Sequence, residues 1–427
     1  MNAAIIFFLL LVLMLTGMPI SISLGLTVLT FLFGFTQVPL ESVALKLFTG
    51  IEKFEIMAIP FFILAGNFLT HGGVARRMIN FAASMVGHWY GGLGLGGVLA
   101  CALFAAVSGS SPATVVAIGS ILLPAMVKAG FPKSFGAGVI TTSGALGILI
   151  PPSIVMVMYS VATNTSVGAL FMAGVVPGLA LAGVLAGVTW YRAKKYDYPR
   201  LPKASWLERL KAFKESAWGL LLIVIVMGGI YTGLFTPTEA AAMSAVYAFF
   251  VAVFVYKDMG LKDVPRVLLN SANMSAMLLY IITNAVLFSF IMTNENIPQS
   301  LADWMLGNGL GPIAFLLAVN VILLLAGNFM EPSSIVLIFA PILFPVAMKL
   351  GIDPVHFGII MVVNMEVGMC HPPVGLNLYV ASGITKMGIT ELTVAVWPWL
   401  LAMIGFLMVV TYWPGLSLWF PRWLGMM

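Results

Sequence analysis

Runs of about 20 mostly apolar residues, the length a helix needs to cross a bilayer, recur in this chain from Ile5 to the closing tryptophans. Inside hydrocarbon every backbone N–H and C=O must be paired within the protein, and for apolar runs of this length the helix does it. The composition agrees: 61% of the 427 residues are hydrophobic and only 8% are charged, against about a quarter charged in a soluble domain. The chain therefore reads as one all-α polytopic membrane domain with no soluble module. The first run, Ile5 to Leu15, has no basic stretch before it and no small-residue cleavage site after it, so it reads as a transmembrane helix rather than a signal peptide. Cys101 and Cys370 stand far apart, and His71, His88, His356 and His371 lack metal-ligand spacing. No disulfide framework, zinc pattern or haem motif follows from them.

The densest basic stretch runs from Arg192 to Lys214, and Lys257, Lys262 and Arg266 follow one helical pair later. By the positive-inside rule both are cytoplasmic. Trp397, Trp399, Trp413, Trp419 and Trp423 read as interfacial anchors. Across the basic stretch the two sides of the chain resemble each other. Ile121-Leu-Leu-Pro-Ala-Met-Val-Lys-Ala-Gly130 matches Ile342-Leu-Phe-Pro-Val-Ala-Met-Lys-Leu-Gly351 at five of ten positions. The same offset of about 221 residues sets Gly147 on Gly368, Pro151-Pro152 on Pro372-Pro373 and Pro177 on Pro398. This predicts two repeats, 1–195 and 217–427, joined by a basic cytoplasmic linker at 196–216. An odd number of crossings in each half would insert them in opposite senses, with both termini periplasmic. Inverted repeats of this kind recur in secondary transporters.

Four polar, Gly/Pro-punctuated breaks interrupt the apolar text, two per half. Irregular backbone at membrane depth is tolerated only where it is buried in protein or lines a cavity. Val107-Ser-Gly-Ser-Ser-Pro-Ala-Thr114 separates two short arms, a re-entrant hairpin over about 91–129. Pro112 suits the first turn of the second arm, Ser110 or Ser111 can cap it, and its free N–H groups favour an anion. Gly327-Asn-Phe-Met-Glu-Pro-Ser-Ser334 is the matching tip of a hairpin over about 311–350. The other breaks, Ser143–Ser153 and Val367–Gly375, each carry a Pro-Pro pair, inside broken helices over about 134–165 and 355–385. Such a pair cannot continue a helix and frees carbonyls upstream. Those carbonyls, with hydroxyls from a facing tip, suit a hard cation such as sodium, one site per half. Glu331, Glu366 and His371 are ionisable groups in apolar text, each costing about 2.5–3.5 kcal/mol on insertion scales if charged. Glu331 is a candidate cation ligand or proton carrier, Glu366 a hydrogen-bond partner of the break. His371 replaces the Ile150 of the first half and is a candidate substrate contact.

With these motifs in matching order over essentially the whole chain, the sequence resembles the large membrane subunit of tripartite ATP-independent periplasmic (TRAP) transporters. Ser108-Gly-Ser-Ser-Pro-Ala-Thr114, Pro151-Pro-Ser-Ile154, the Arg192–Pro202 basic loop, Thr236-Pro-Thr-Glu239 and His371-Pro-Pro-Val-Gly375 carry the resemblance. It implies the ion-transporter-superfamily elevator fold, with two inverted repeats, two re-entrant hairpins and two broken helices in a bacterial inner membrane. It implies a smaller four-helix membrane subunit and a periplasmic substrate-binding protein as partners. It implies uptake of a small organic acid driven by sodium as coupling ion, with no other cofactor, no enzyme activity and no nucleic acid. The sodium positions then fall on Ser108, Gly109, Ser110, Gly147, Pro151, Gly327, Glu331, Gly368, Cys370 and Pro372. The substrate positions fall on Ser110, Ser111, Thr114, Ser153, Asn328, Ser333, Ser334, His371 and Asn377. The first tip looks like that of the C4-dicarboxylate branch rather than the sialic-acid branch. The competing readings are a stand-alone carboxylate symporter or sodium/proton antiporter of the same superfamily, a sialic-acid TRAP subunit and, more remotely, a membrane-embedded enzyme.

Overall fold

The computed structural model describes residues 2–36 and 38–426, and all regular structure among them is helical. Among the described residues, eight helices are long and apolar enough to cross a membrane, including Val167–Lys195, Trp206–Tyr231, Val264–Asn294 and Ile389–Tyr412. Other apolar helices are shorter, among them Gly92–Ser108, Ile154–Thr163, Pro312–Gly327 and Pro354–Cys370.

A frame forms from Ile20–Phe35, packed on Val264–Asn294, and from Ala58–His71, packed on Pro237–Phe250. Thr236 opens the last of these with a capping box, its hydroxyl taking the Glu239 N–H at 3.3 Å while the Glu239 carboxylate takes the Thr236 N–H at 2.8 Å. The amphipathic helix Val74–Val86 lies against Trp206–Tyr231. Its start is pinned by Asp258, which pairs with Arg76 at 3.1 Å and with Arg77, while the Arg77 guanidinium stacks 3.8 Å over the Tyr256 ring.

Two hairpins sit inside this frame. The first is Gly92–Ser108 folded back on Ser111–Lys128, and the second is Pro312–Gly327 folded back on Pro332–Lys349. Each is followed by an interrupted helix, Lys133–Gly144 with Ile154–Thr163 and Pro354–Cys370 with Leu376–Thr385. The second arms of the hairpins are both 18 residues long. Both Pro–Pro peptide bonds are cis.

Small residues let these segments approach closely. A β-carbon on Gly138 would lie 2.6 Å from the Trp399 ring, and one on Gly358 would lie 2.6 Å from the Tyr159 ring. Trp399 therefore departs from its expected place at the interface. It is fully buried, its indole N–H donating to Thr189 Oγ1 at 2.9 Å, because the glycine opposite leaves a slot the ring fills. Lys53, just ahead of the Phe54–Met57 turn, closes the far end of the first broken helix. Its ammonium donates to the Val161 carbonyl at 2.5 Å and to Asn164 Oδ1 at 2.7 Å. Partial burial there lowers the Lys53 pKa.

Candidate functional site: two hairpin tips against two broken helices

Gly109 ends the first arm of the first hairpin in the left-handed region, φ +59°, where a side chain is strained. A β-carbon there would also meet the Pro152 carbonyl at 2.8 Å. Two residues, Gly109 and Ser110, make the tip, and Pro112 sits in the first turn of the next arm as its missing N–H allows. Neither Ser110 nor Ser111 caps that arm with its side chain, contrary to expectation. The Ser111 hydroxyl is engaged elsewhere. Ser111 Oγ donates to the Gly144 carbonyl at 3.0 Å, across to the broken helix. Thr114 Oγ1 donates to the Ser110 carbonyl at 2.9 Å and lies 2.9 Å from Ser108 Oγ. The tip packs so tightly on the break that a β-carbon on Gly147 would lie 2.6 Å from the Ser110 carbonyl oxygen and 2.7 Å from Ser111 Cα. Pro151 is buried here as well. Ser153 caps Ile154–Thr163, accepting the Met156 N–H at 3.4 Å. Every residue from Thr141 to Val161 is buried.

The second tip is longer, four residues from Asn328 to Glu331. Here the cap forms: the Glu331 carboxylate accepts the Ser334 N–H at 3.1 Å and its hydroxyl at 2.9 Å. Ser333 is buried in the same first turn. The backbone meets the broken helix glycine to glycine, and a β-carbon on Gly327 would lie 2.9 Å from Gly368 Cα. Asn328 Oδ1 lies 3.1 Å from His371 Nδ1. His371, Pro372 and Val374 are half-buried and Pro373 is exposed, so this break opens to its surroundings.

Cys370 and Asn377 belong to the second half but reach into the first. Asn377 Nδ2 donates to Ser111 Oγ at 2.7 Å and approaches the Thr141 carbonyl at 3.5 Å. The Cys370 thiol donates to the same carbonyl at 3.4 Å. Ser108, Ser110, Ser111, Thr114, Gly147, Cys370 and Asn377 thus form one largely buried cluster, and Gly327, Asn328, Glu331, Ser334, Gly368 and His371 a second, more open one. Pro372 borders the second, while Ser153 and Ser333 serve the helix starts. Reasoning from sequence missed the carbonyls of Thr141 and Gly144, which no residue type marks. It also missed the Asn364–Asn320–Thr411 chain, where Asn364 Nδ2 donates to Asn320 Oδ1 at 2.9 Å and Asn320 Nδ2 to Thr411 Oγ1 at 2.9 Å. Two asparagines in apolar text were a usable signal for it, since buried amides must find partners.

Residues 7–416 match the family model of the DctM component of the tripartite ATP-independent periplasmic transporter. The chain belongs to that family. It is 77% identical, over all of both chains, to the C4-dicarboxylate TRAP transporter large permease protein DctM of Rhodobacter capsulatus. It is 56% identical over 95% of each chain to the protein of the same name in Pseudomonas aeruginosa. As a fold it resembles the YdaH transporter of Alcanivorax borkumensis, with a TM-score of 0.58 at 14% identity, covering 84% of this chain and 86% of that one. Members of the DctM family are transporter subunits, not enzymes. The geometry fits transport, since unwound carbonyls and half-helix ends are what ion and anion sites in broken-helix transporters are made of. Among the described residues no group of three or more His, Cys, Asp or Glu could hold a metal.

Proposed function

We propose that this DctM-family chain is the membrane pathway for sodium-driven uptake of a C4-dicarboxylate, working with a small four-helix membrane subunit and a periplasmic binding protein. The observation that carries the substrate class is the 77% identity, end to end, with a C4-dicarboxylate large permease. The coupling rests on the tips: each broken helix presents main chain directly to a hairpin tip, through Gly147 in one half and Gly368 in the other. Carbonyls freed by the Pro-Pro pairs hold sodium there, and the starts of Ser111–Lys128 and Pro332–Lys349 offer N–H groups to the carboxylates.

Helix order supports opposite insertion of the two halves in the inner membrane. Following the crossings from the Arg192–Lys214 loop, the first hairpin opens on the loop's side and the second on the other. Of the 20 lysines and arginines, all but Lys46, Lys53, Lys349 and Arg422 then fall in loops or near helix ends on the loop's side. That side is cytoplasmic and both termini are periplasmic. The hairpins and broken helices move together as the elevator within the frame. Two sodium ions with one dianion move no net charge. A tenfold sodium gradient then supplies roughly 2.8 kcal/mol, at about 1.4 kcal/mol per factor of ten for each ion.

Reconstitution with the small subunit and binding protein tests this. Labelled succinate is expected to accumulate only with an inward sodium gradient and the binding protein, and sialic acid is not. Accumulation without sodium, or without the binding protein, refutes the reading. A flux ratio of one sodium per succinate refutes the stoichiometry alone.

A further inference from the structure

Glu366 is fully buried, 0% exposed, and neither of its carboxyl oxygens has a hydrogen-bond partner among the described residues. It lies one turn before Cys370 on Pro354–Cys370, on the face from which Cys370 reaches the Thr141 carbonyl. Its helix packs there on the Ala145–Ile148 turn of the first break. The carboxyl approaches the backbone N–H of Leu149 without completing a bond, and that N–H already donates to the Leu146 carbonyl at 3.2 Å.

Among the described residues no counter-charge is paired with it. The charged groups with partners on the surrounding elements are engaged elsewhere. Arg422 and Asp353 flank each other beyond Pro354, where Tyr159 bonds the Pro354 carbonyl. Arg192 stacks on Trp399, Lys349 pairs with Asp303 and Glu331 caps its own helix. A carboxylate removed from water with neither partner nor counter-ion is strongly unfavourable. Hard oxygens are at hand, however. Pro151 and Pro152 have no N–H, so the carbonyls of Gly147 and Ile148 lose the helical donors four residues on.

We infer that Glu366, supplied by the second half, is the charged ligand of a monovalent cation at the first break, with carbonyls of the Gly147–Ile148 turn as its neutral partners. This rests on the sodium reading above and extends it. The cation at the first break is then held by both halves, and its binding fastens one broken helix to the other.

The test is thermal unfolding of the purified complex, titrated with sodium chloride against choline chloride at constant ionic strength. Sodium is expected to raise the wild-type midpoint, as any ligand of the folded state does. Glu366→Gln is expected to unfold at a higher temperature than wild type without sodium, because a bare buried charge is gone. It should keep less than half of the sodium-induced rise. Its half-saturating sodium for uptake should increase at least tenfold, with the Hill coefficient falling toward one. An equal sodium-induced rise in both proteins overturns the inference while leaving sodium coupling intact. No rise in wild type overturns both. If Glu366→Gln cannot be recovered from membranes, infrared difference spectra of Glu331→Gln decide: sodium must perturb a carboxylate band, and its absence overturns the assignment.

Discussion

The two hairpin tips use one device on two sequences, and the result is a buried junction and an open one. In the first half, Ser110 and Ser111 lie directly on Gly147, and every residue of the break is buried. In the second half, Glu331 stands at the position of Ser110 and His371 at that of Ile150. The tip there is unwound over four residues instead of two, and the Pro-Pro segment is partly exposed. Two differences in matched positions thus separate a junction lined by hydroxyls and backbone from one lined by a carboxylate and an imidazole. The buried junction is also the one the other half enters, through Asn377 and Cys370.

Alanine at the matched glycines should break this comparison most sharply. At Gly147 a β-carbon overlaps backbone that cannot swing away, so Gly147→Ala should lower uptake at least 100-fold and destabilise by about 1–3 kcal/mol. Gly368→Ala meets Gly327 Cα at 3.0 Å, in a longer tip with room to shift, and should cost no more than tenfold. Uptake and thermal midpoints of the pair, measured together, contradict the contrast if the two losses are equal. Next, Ser111→Ala removes the bond to the Gly144 carbonyl and leaves Asn377 without its main acceptor, about 1–3 kcal/mol for a buried polar group left unmade. Denaturation of the purified protein measures it, and a loss under about 0.5 kcal/mol, the range of an ordinary surface change, removes Ser111 from the junction. Glu331→Ala should cost about 1 kcal/mol as a lost helix cap. Glu331→Gln should recover that stability but not the sodium affinity of uptake, and if it recovers both, the carboxylate is a cap alone. Smallest in stability is His371→Ile, which installs the first half's residue. It should raise the KM for succinate several-fold with unchanged half-saturating sodium, and an unchanged KM takes His371 out of the substrate path.

The sequence made the helical membrane class plain, because hydrocarbon leaves an apolar backbone few choices. It also marked where the helices are interrupted, since Pro112, Pro332 and the two Pro-Pro pairs carry their geometry locally. What escaped it depends on contacts between segments far apart in the chain. Trp399 has the composition of an interfacial anchor, and only the slot above Gly138 makes it core. Ser110 and Ser111 have the residue type of helix caps, yet neither caps with its side chain, and a carbonyl of the facing helix draws the Ser111 hydroxyl away. Asn377 stands in a second-half helix, and nothing local tells that its amide closes the first-half junction.

The central claim is that interrupted main chain at the tips binds sodium. An electron cryo-microscopy map of the complex in sodium, beside one in choline, tests it most directly. The expected result is ion density at two positions in sodium alone, one against Gly147 and one against Gly368. Maps that match in both salts, or that show unbroken helices through Gly109–Ser110 and Asn328–Glu331, would contradict it.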